Sequence, residues 1–123
     1  MGGLLFDEYI LKEIIDEINS NPMLDGITIS GGDPFYDPYA LAELCQILKQ
    51  ETGKHILVYT GYTIERLIAS ERLSAPLPYI DTLIDGPYIA SLRDPSILFR
   101  GSSNQRIINV KRYLQEHPLP DIV

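Results

Sequence analysis

A single cysteine, Cys45, is the only thiol in this chain. One thiol excludes an internal disulfide, and it excludes a metal cluster held by cysteines of this chain alone. No apolar run approaches the roughly 20 residues that a bilayer-spanning helix needs. The start, "MGGLLFDEYILKE", turns acidic at once and lacks the basic opening and small-residue cleavage site of a secretory signal. The expectation is a cytoplasmic protein with no membrane partner. Basic residues are also scarce: ten Lys and Arg against seventeen Asp and Glu leave a net charge of -7, which argues against a general nucleic-acid binder. Repeats, low-complexity tracts and linkers are missing, as is any recognisable Ser, His and Asp arrangement. GxGxxG and a P-loop lysine are absent too, so a phosphate- or nucleotide-binding reading would rest on Gly31-Gly32 alone. His55 opens an apolar run and His117 lies near the C-terminus; both read as structural or exposed. Cys45, among Leu41, Leu44 and Leu48, reads as a small core hydrophobe.

What remains is ordinary for one globular domain spanning residues 1–123: 45% hydrophobic and 22% charged residues. Residues 7 to 19 form an amphipathic helical pattern, with Ile10, Leu11, Ile14, Ile15 and Ile18 at three- and four-residue spacing. Asp7 is placed to cap it and Asn21-Pro22 to end it. "GITIS", 26 to 30, is a short β-branched strand. A helix from Pro38 to Gln50 follows, with Asp37 as cap, Pro38 in its first turn and Gly53 beyond its end. "HILVYT", 55 to 60, is a strand of the kind found in a sheet covered on both faces. A short helix from Thr63 to about Ser70 precedes a third strand, 79 to 85. Residues 86 to 104 are irregular. "RIINVKRYLQEH" is ambiguous: Ile107, Ile108 and Val110 favour strand, whereas the 107, 110, 111, 114 spacing after a Ser-Ser-Asn run favours a capped helix, and helix is the expectation.

Helices alternating with short apolar strands imply an α/β fold with a parallel sheet. Ligands of such sheets bind at the carboxyl ends of the strands. Three strand ends then converge on one rim: Ser30-Gly31-Gly32-Asp33-Pro34, Tyr59-Thr60-Gly61-Tyr62 and Asp85-Gly86-Pro87-Tyr88. Each alone reads as a turn. Together they offer open backbone, two carboxylates and a hydroxyl, which suit a zwitterionic small molecule better than general-base catalysis. Five of the ten basic residues (Arg93, Arg100, Arg106, Lys111, Arg112) fall between 93 and 112, where Asp94 is the only acid. That stretch is either a solvated positive face or a site for an anionic ligand or acidic partner. "GSSNQ", 101 to 105, is either a helix cap or a nest of backbone donors for a carboxylate or phosphate.

The pieces "GITISGGDPFY", "VYTGYT", "IDTLIDGPYI" and "LRDPSILFRGSSNQRIINV", in this order, resemble the activating proteins of anaerobic (class III) ribonucleotide reductase, in the radical S-adenosylmethionine family. Pyruvate formate-lyase activating enzymes are similar but more distant. The resemblance implies an incomplete parallel (β/α) barrel. It implies a [4Fe–4S] cluster that reductively cleaves S-adenosylmethionine to a 5'-deoxyadenosyl radical, which abstracts hydrogen from a glycine of the reductase large subunit. It places Gly31, Gly32, Asp33 and Pro34 at the amino group of the cofactor's methionine moiety, with Thr60 and Asp85 nearby. A flavodoxin-like electron donor goes with such chemistry. The family's CxxxCxxC motif has no match here; "MGGLLFDEY" resembles the segment just past it. The resemblance therefore implies that the N-terminal strand and the cluster cysteines are missing, that no residue of this chain ligates metal, and that the chain is inactive as it stands. The expectation is a fragment of such an enzyme, its S-adenosylmethionine-binding and partner-binding part; a non-catalytic, cluster-less paralogue binding the reductase or a small zwitterion is the alternative. A missing strand would leave a sheet edge unpaired and favour a homodimer.

Overall fold

A computed structural model of the chain describes residues 8–30, 33–96 and 100–119, with side chains described from residue 12 onward. The element order is helix α1 (Glu8–Ser20), strand β1 (Gly26–Ile29), helix α2 (Pro38–Thr52), strand β2 (His55–Tyr59), the short helices α3 (Ile64–Ile68) and α4 (Glu71–Ser74), strand β3 (Thr82–Asp85), strand β4 (Arg106–Asn109) and helix α5 (Val110–Glu116). Single 3-10 turns lie at Pro34–Tyr36, Leu77–Tyr79 and Ala90–Leu92. The expected cap Asp7 and the side chains of Ile10 and Leu11 lie outside the described residues.

Local chemistry accounts for the helix starts. Asp37 Oδ1 accepts from the Ala40 N–H at 3.2 Å, so α2 begins on a filled cap with Pro38 in its first turn. The Gly53 N–H closes the other end on the Lys49 carbonyl. The helix expected at 63–70 is two: Ser70 Oγ accepts from the Leu73 N–H, and this second cap divides α3 from α4.

The four strands form one sheet in the order β1-β2-β3-β4. β1, β2 and β3 run parallel, with Ile29 beside Val58 and Val58 beside Leu83. Leu83 in turn faces Ile108 of β4. Because paired residues share a face, Ile29, Val58, Leu83 and Ile108 form an apolar row across all four strands. α2 covers that row with Leu41, Leu44, Cys45 and Leu48, joined by Phe35, Ile64, Leu67, Leu77, Ile80 and Val110. Each such aliphatic side chain, fully buried, contributes about 1.5–3 kcal/mol. The second face is less covered: Leu57 and Tyr59 are half-buried where Ile56 and Val58 are wholly buried, so "HILVYT" is not sealed on both sides. Among the described residues β1 pairs on one side only, with β2, and no helix is long and apolar enough to cross a membrane.

Two expectations need correction. The sheet is not wholly parallel, since β4 runs antiparallel to β3. "RIINVKRYLQEH" is not one helix: Arg106–Asn109 is strand and Val110–Glu116 is helix. The cap of α5 is Asn109, whose Oδ1 accepts from the Arg112 N–H at 3.1 Å, and not the Ser-Ser-Asn run upstream. The reversal follows from what joins β3 to β4. A parallel return normally crosses over through a helix, and among its described residues the connection contains only the 3-10 turn Ala90–Leu92.

Candidate functional site at the carboxyl-end rim

Asp33 follows β1 and caps the 3-10 turn Pro34–Tyr36. Its Oδ1 accepts from the Phe35 N–H at 3.0 Å and from the Thr60 hydroxyl at 3.0 Å. Its Oδ2 accepts from the Gly61 N–H at 2.8 Å and lies 3.2 Å from the same hydroxyl. Thr60 Oγ1 also accepts from the Tyr62 N–H at 3.1 Å. The structure thus brings Asp33 and Thr60, 27 residues apart, into direct contact. Gly61 makes the approach easy, because a Cβ there would lie a tight 3.3 Å from Asp33 Oδ2 and push the carboxylate by a few tenths of an ångström. Pro34 starts the turn that sets the Asp33 carboxylate. Gly31 and Gly32 lie outside the described residues.

Asp85 ends β3 on the same rim but is otherwise engaged. It is only 1% exposed. Its Oδ2 accepts from the Ile64 N–H, the first of α3, at 2.8 Å. Arg106 donates to it twice, Nε to Oδ1 at 3.0 Å and Nη2 to Oδ2 at 2.5 Å. The same guanidinium forks onto Glu65, at 3.0 Å from Nη1 and 2.6 Å from Nη2. Arg106 reaches this end of the sheet because β4 is antiparallel and starts where β3 stops. Gly86 then leaves the strand at φ +94, a conformation that side chains rarely adopt, and its N–H bonds to the Tyr62 carbonyl at 2.8 Å. The Asp33–Thr60 pair and the Asp85–Arg106 pair are therefore joined through the 61–63 turn.

The basic stretch is mostly engaged within the fold. Arg106 holds two carboxylates, Lys111 lies 3.4 Å from Asp81, Arg112 lies 3.4 Å from Glu116, and Arg100 donates to the Gln105 carbonyl. Arg93, Arg106, Lys111 and Arg112 are nonetheless exposed, so the stretch stays in contact with solvent. The Nε of Arg100 is buried and lacks a hydrogen-bond partner among the described residues. "GSSNQ" is a set of pins: Ser102 Oγ accepts from the Ile89 N–H, Asn104 Nδ2 donates to the Pro87 carbonyl, and Gln105 Nε2 donates to the Gly86 carbonyl. Sequence reading named Arg106 only as one of five clustered basic residues, and it missed Glu65. The available signal was the β-branched Ile107-Ile108 pair, which places Arg106 at a strand start.

Electrostatics make the fold acid-sensitive. Hydrogen bonds from Arg106 hold the Glu65 carboxyl below its ordinary range. At the opposite rim, burial pushes the Asp81 carboxyl up, but Lys49, the Ile56 N–H and Lys111 together outweigh it and the net displacement is downward. A carboxyl with a lower folded than unfolded pKa leaves the unfolded chain binding more protons, so stability rises with pH. The urea midpoint is expected to be level from pH 7 to about pH 5 and to fall as pH drops through about 4, where free Glu and Asp titrate. Lys49→Met should flatten part of that fall. Urea titrations at stepped pH measure both, and a midpoint unchanged down to pH 3 would contradict the assignment.

The residues fit two candidate groups differently. Among the described residues no cluster of three His, Cys, Asp or Glu side chains can hold a metal ion. Cys45 is 0% exposed in the core, and burial pushes its thiol up to about 12. Cluster ligation requires a thiolate, so the described residues do not fit an iron–sulfur cluster. An ammonium suits the residues better. A carboxylate offers about four acceptor positions, and among the described residues three donors reach that of Asp33, the Phe35 and Gly61 N–H groups and one hydroxyl.

The sequence matches the family described as "4Fe-4S single cluster domain" over residues 1–108. It is 41% identical to the anaerobic ribonucleoside-triphosphate reductase-activating protein of Haemophilus influenzae, covering 89% of this chain and 72% of that protein. The namesake protein of Pasteurella multocida is 38% identical over 91% of this chain and 73% of its own length. That of Escherichia coli K12 is 34% identical over 89% and 73%. No solved structure gives a significant match. With most of its length aligned to these proteins, the chain belongs to the family of anaerobic ribonucleoside-triphosphate reductase-activating proteins.

Proposed function

We propose that the rim built on Asp33 and Thr60 binds the methionine moiety of S-adenosylmethionine, in an activase that acts on the large subunit of anaerobic ribonucleotide reductase. The observation that carries this is the Asp33 carboxylate, which among the described residues is held by three donors, fewer than the about four a carboxylate can accept. Asp33 fixes the amino group and Thr60 orients the Asp33 carboxylate through its hydroxyl. Gly31 and Gly32, next in sequence to Asp33, are assigned to the same site. Pro34 locks the turn that follows. Asp85 contributes from the neighbouring strand end, through the groups it holds in place. The four-stranded sheet is read as part of an incomplete (β/α) barrel, whose strand ends are where such folds bind ligands. The radical-forming cluster has no ligand set among the described residues, so the roles assigned to these residues are binding and orientation.

Titrating S-adenosylmethionine into the full chain by calorimetry tests the reading. A charge-assisted hydrogen bond contributes about 1.5–3 kcal/mol, so Asp33→Ala and Asp33→Asn are each expected to weaken binding at least about tenfold. S-adenosylhomocysteine keeps the ammonium and should depend on Asp33 in the same way. Equal affinity of wild type and Asp33→Asn would sink the assignment.

A further inference from the structure

The helix α3 has five residues and no independent stability at that length. Buried Ile64 and Leu67 seat it on the core, and charged groups fix its first turn. Its first N–H, from Ile64, ends on Asp85, and its second residue, Glu65, is clamped by Arg106. Arg106 uses four donor contacts to grip both carboxylates at once, a planar fork that a lysine cannot reproduce. The chain leads from Ile64 straight back through Thr63 and Tyr62 to Gly61, whose N–H donates to Asp33. A second tie runs alongside, from the Gly86 N–H to the Tyr62 carbonyl. Two ties that hold the 61–63 turn, the Ile64 N–H on Asp85 and the Gly86 N–H on the Tyr62 carbonyl, therefore meet at the β3–β4 end that Arg106 locks.

We propose that Arg106 is a positioning residue: forked between Asp85 and Glu65, it sets the 61–63 turn so that the Gly61 N–H and the Thr60 hydroxyl hold Asp33 in its ligand-ready orientation. The ligand half of this statement rests on the proposed S-adenosylmethionine site; the positioning half does not. Arg106 touches neither Asp33 nor Thr60, and its effect is carried by α3 and the turn.

The test uses the full chain and three variants, Arg106→Gln, Arg106→Lys and Glu65→Gln, with two readouts. The amide proton shift of Gly61 reports the hydrogen bond to Asp33 directly, in the folded state and without ligand. S-adenosylmethionine affinity reports the consequence. Arg106→Gln is expected to move the Gly61 amide toward a weaker hydrogen bond while core amides such as that of Leu83 hold their shifts, and to weaken binding about 3- to 30-fold, the size usual for coupling through a packed element. Arg106→Lys should recover only part of each effect. Glu65→Gln should move Gly61 the same way by less, and it remains informative if Arg106→Gln does not fold, because Glu65 is largely exposed. In an Asp33→Asn background the Arg106 effect on affinity should disappear. A Gly61 amide that stays put in every folded variant overturns the positioning role, whatever the ligand does. A wild type that fails to bind S-adenosylmethionine overturns the ligand reading, while the Gly61 shift still decides the positioning.

Discussion

Asp85→Ala is expected to cost about 3 kcal/mol of folding stability, near the low end of the range for breaking a buried ion pair. The alanine removes the acceptor for the Ile64 N–H, a residue with 0% exposure, and leaves a buried donor without a partner. It also strips the inner half of the Arg106 fork. The loss stays near the low end because Arg106 is 47% exposed and can turn to water and to Glu65. Asp85→Asn keeps an acceptor for Ile64 and should cost about 1–2 kcal/mol. Glu65→Gln, at the 57% exposed end of the same network, should stay within about 0.5 kcal/mol. Urea unfolding at pH 7 measures all three, and for a domain of this size the first should lower Tm by about 10 °C. Equal losses for Asp85→Ala and Glu65→Gln would show that burial at this corner does not set the energetics. Asp85 was read from the sequence as part of a ligand site; its bonds make it first the joint between β3, β4 and α3.

How far the sequence could go depended on how local each feature is. Helix α2 was legible because its signals sit within its own ends: Asp37, Pro38, a run of Leu at helical spacing, and Gly53. The Asp33–Thr60 contact was legible at long range for a different reason. Parallel strands of similar length put their carboxyl ends side by side, so short polar residues at successive strand ends must meet. β4 escaped because its direction is set by what the preceding connection lacks, a crossover helix, and not by its own residues. Ile107 and Ile108 then shared a window with Val110 and Leu114, and two adjoining elements produced one mixed period that resembled a helix. Arg106 could not be singled out before the antiparallel register placed it against Asp85. The polar run 101–105 looked like a cap, since Ser and Asn cap helices. Its side chains instead bond to the backbone of 86–89 and stitch the long connection to itself.

Two neighbours in the opening turn should behave oppositely when truncated. Phe35→Ala is expected to cost about 3–5 kcal/mol, the usual loss for a buried aromatic, because its ring is 0% exposed and belongs to the core cluster with Leu41, Leu44 and Ile64. Tyr36→Ala, at 87% exposure, should stay within about 0.5 kcal/mol. The contrast tests how the site is anchored. Phe35 is the residue whose N–H donates to Asp33 Oδ1, so one residue plugs the core with its side chain and holds the carboxylate with its backbone. Phe35→Leu keeps most of the apolar volume and should cost about 1–2 kcal/mol while leaving the turn folded. If the ring is what steadies the turn, Phe35→Leu should also speed hydrogen exchange at the Phe35 and Gly61 amides, the backbone donors to the Asp33 carboxylate among the described residues, more than at Leu83 in the sheet centre. Exchange that rises equally at all three sites would mean that the substitution lowers global stability alone, and that the Asp33 turn is held from the Thr60 side without help from the core beneath it.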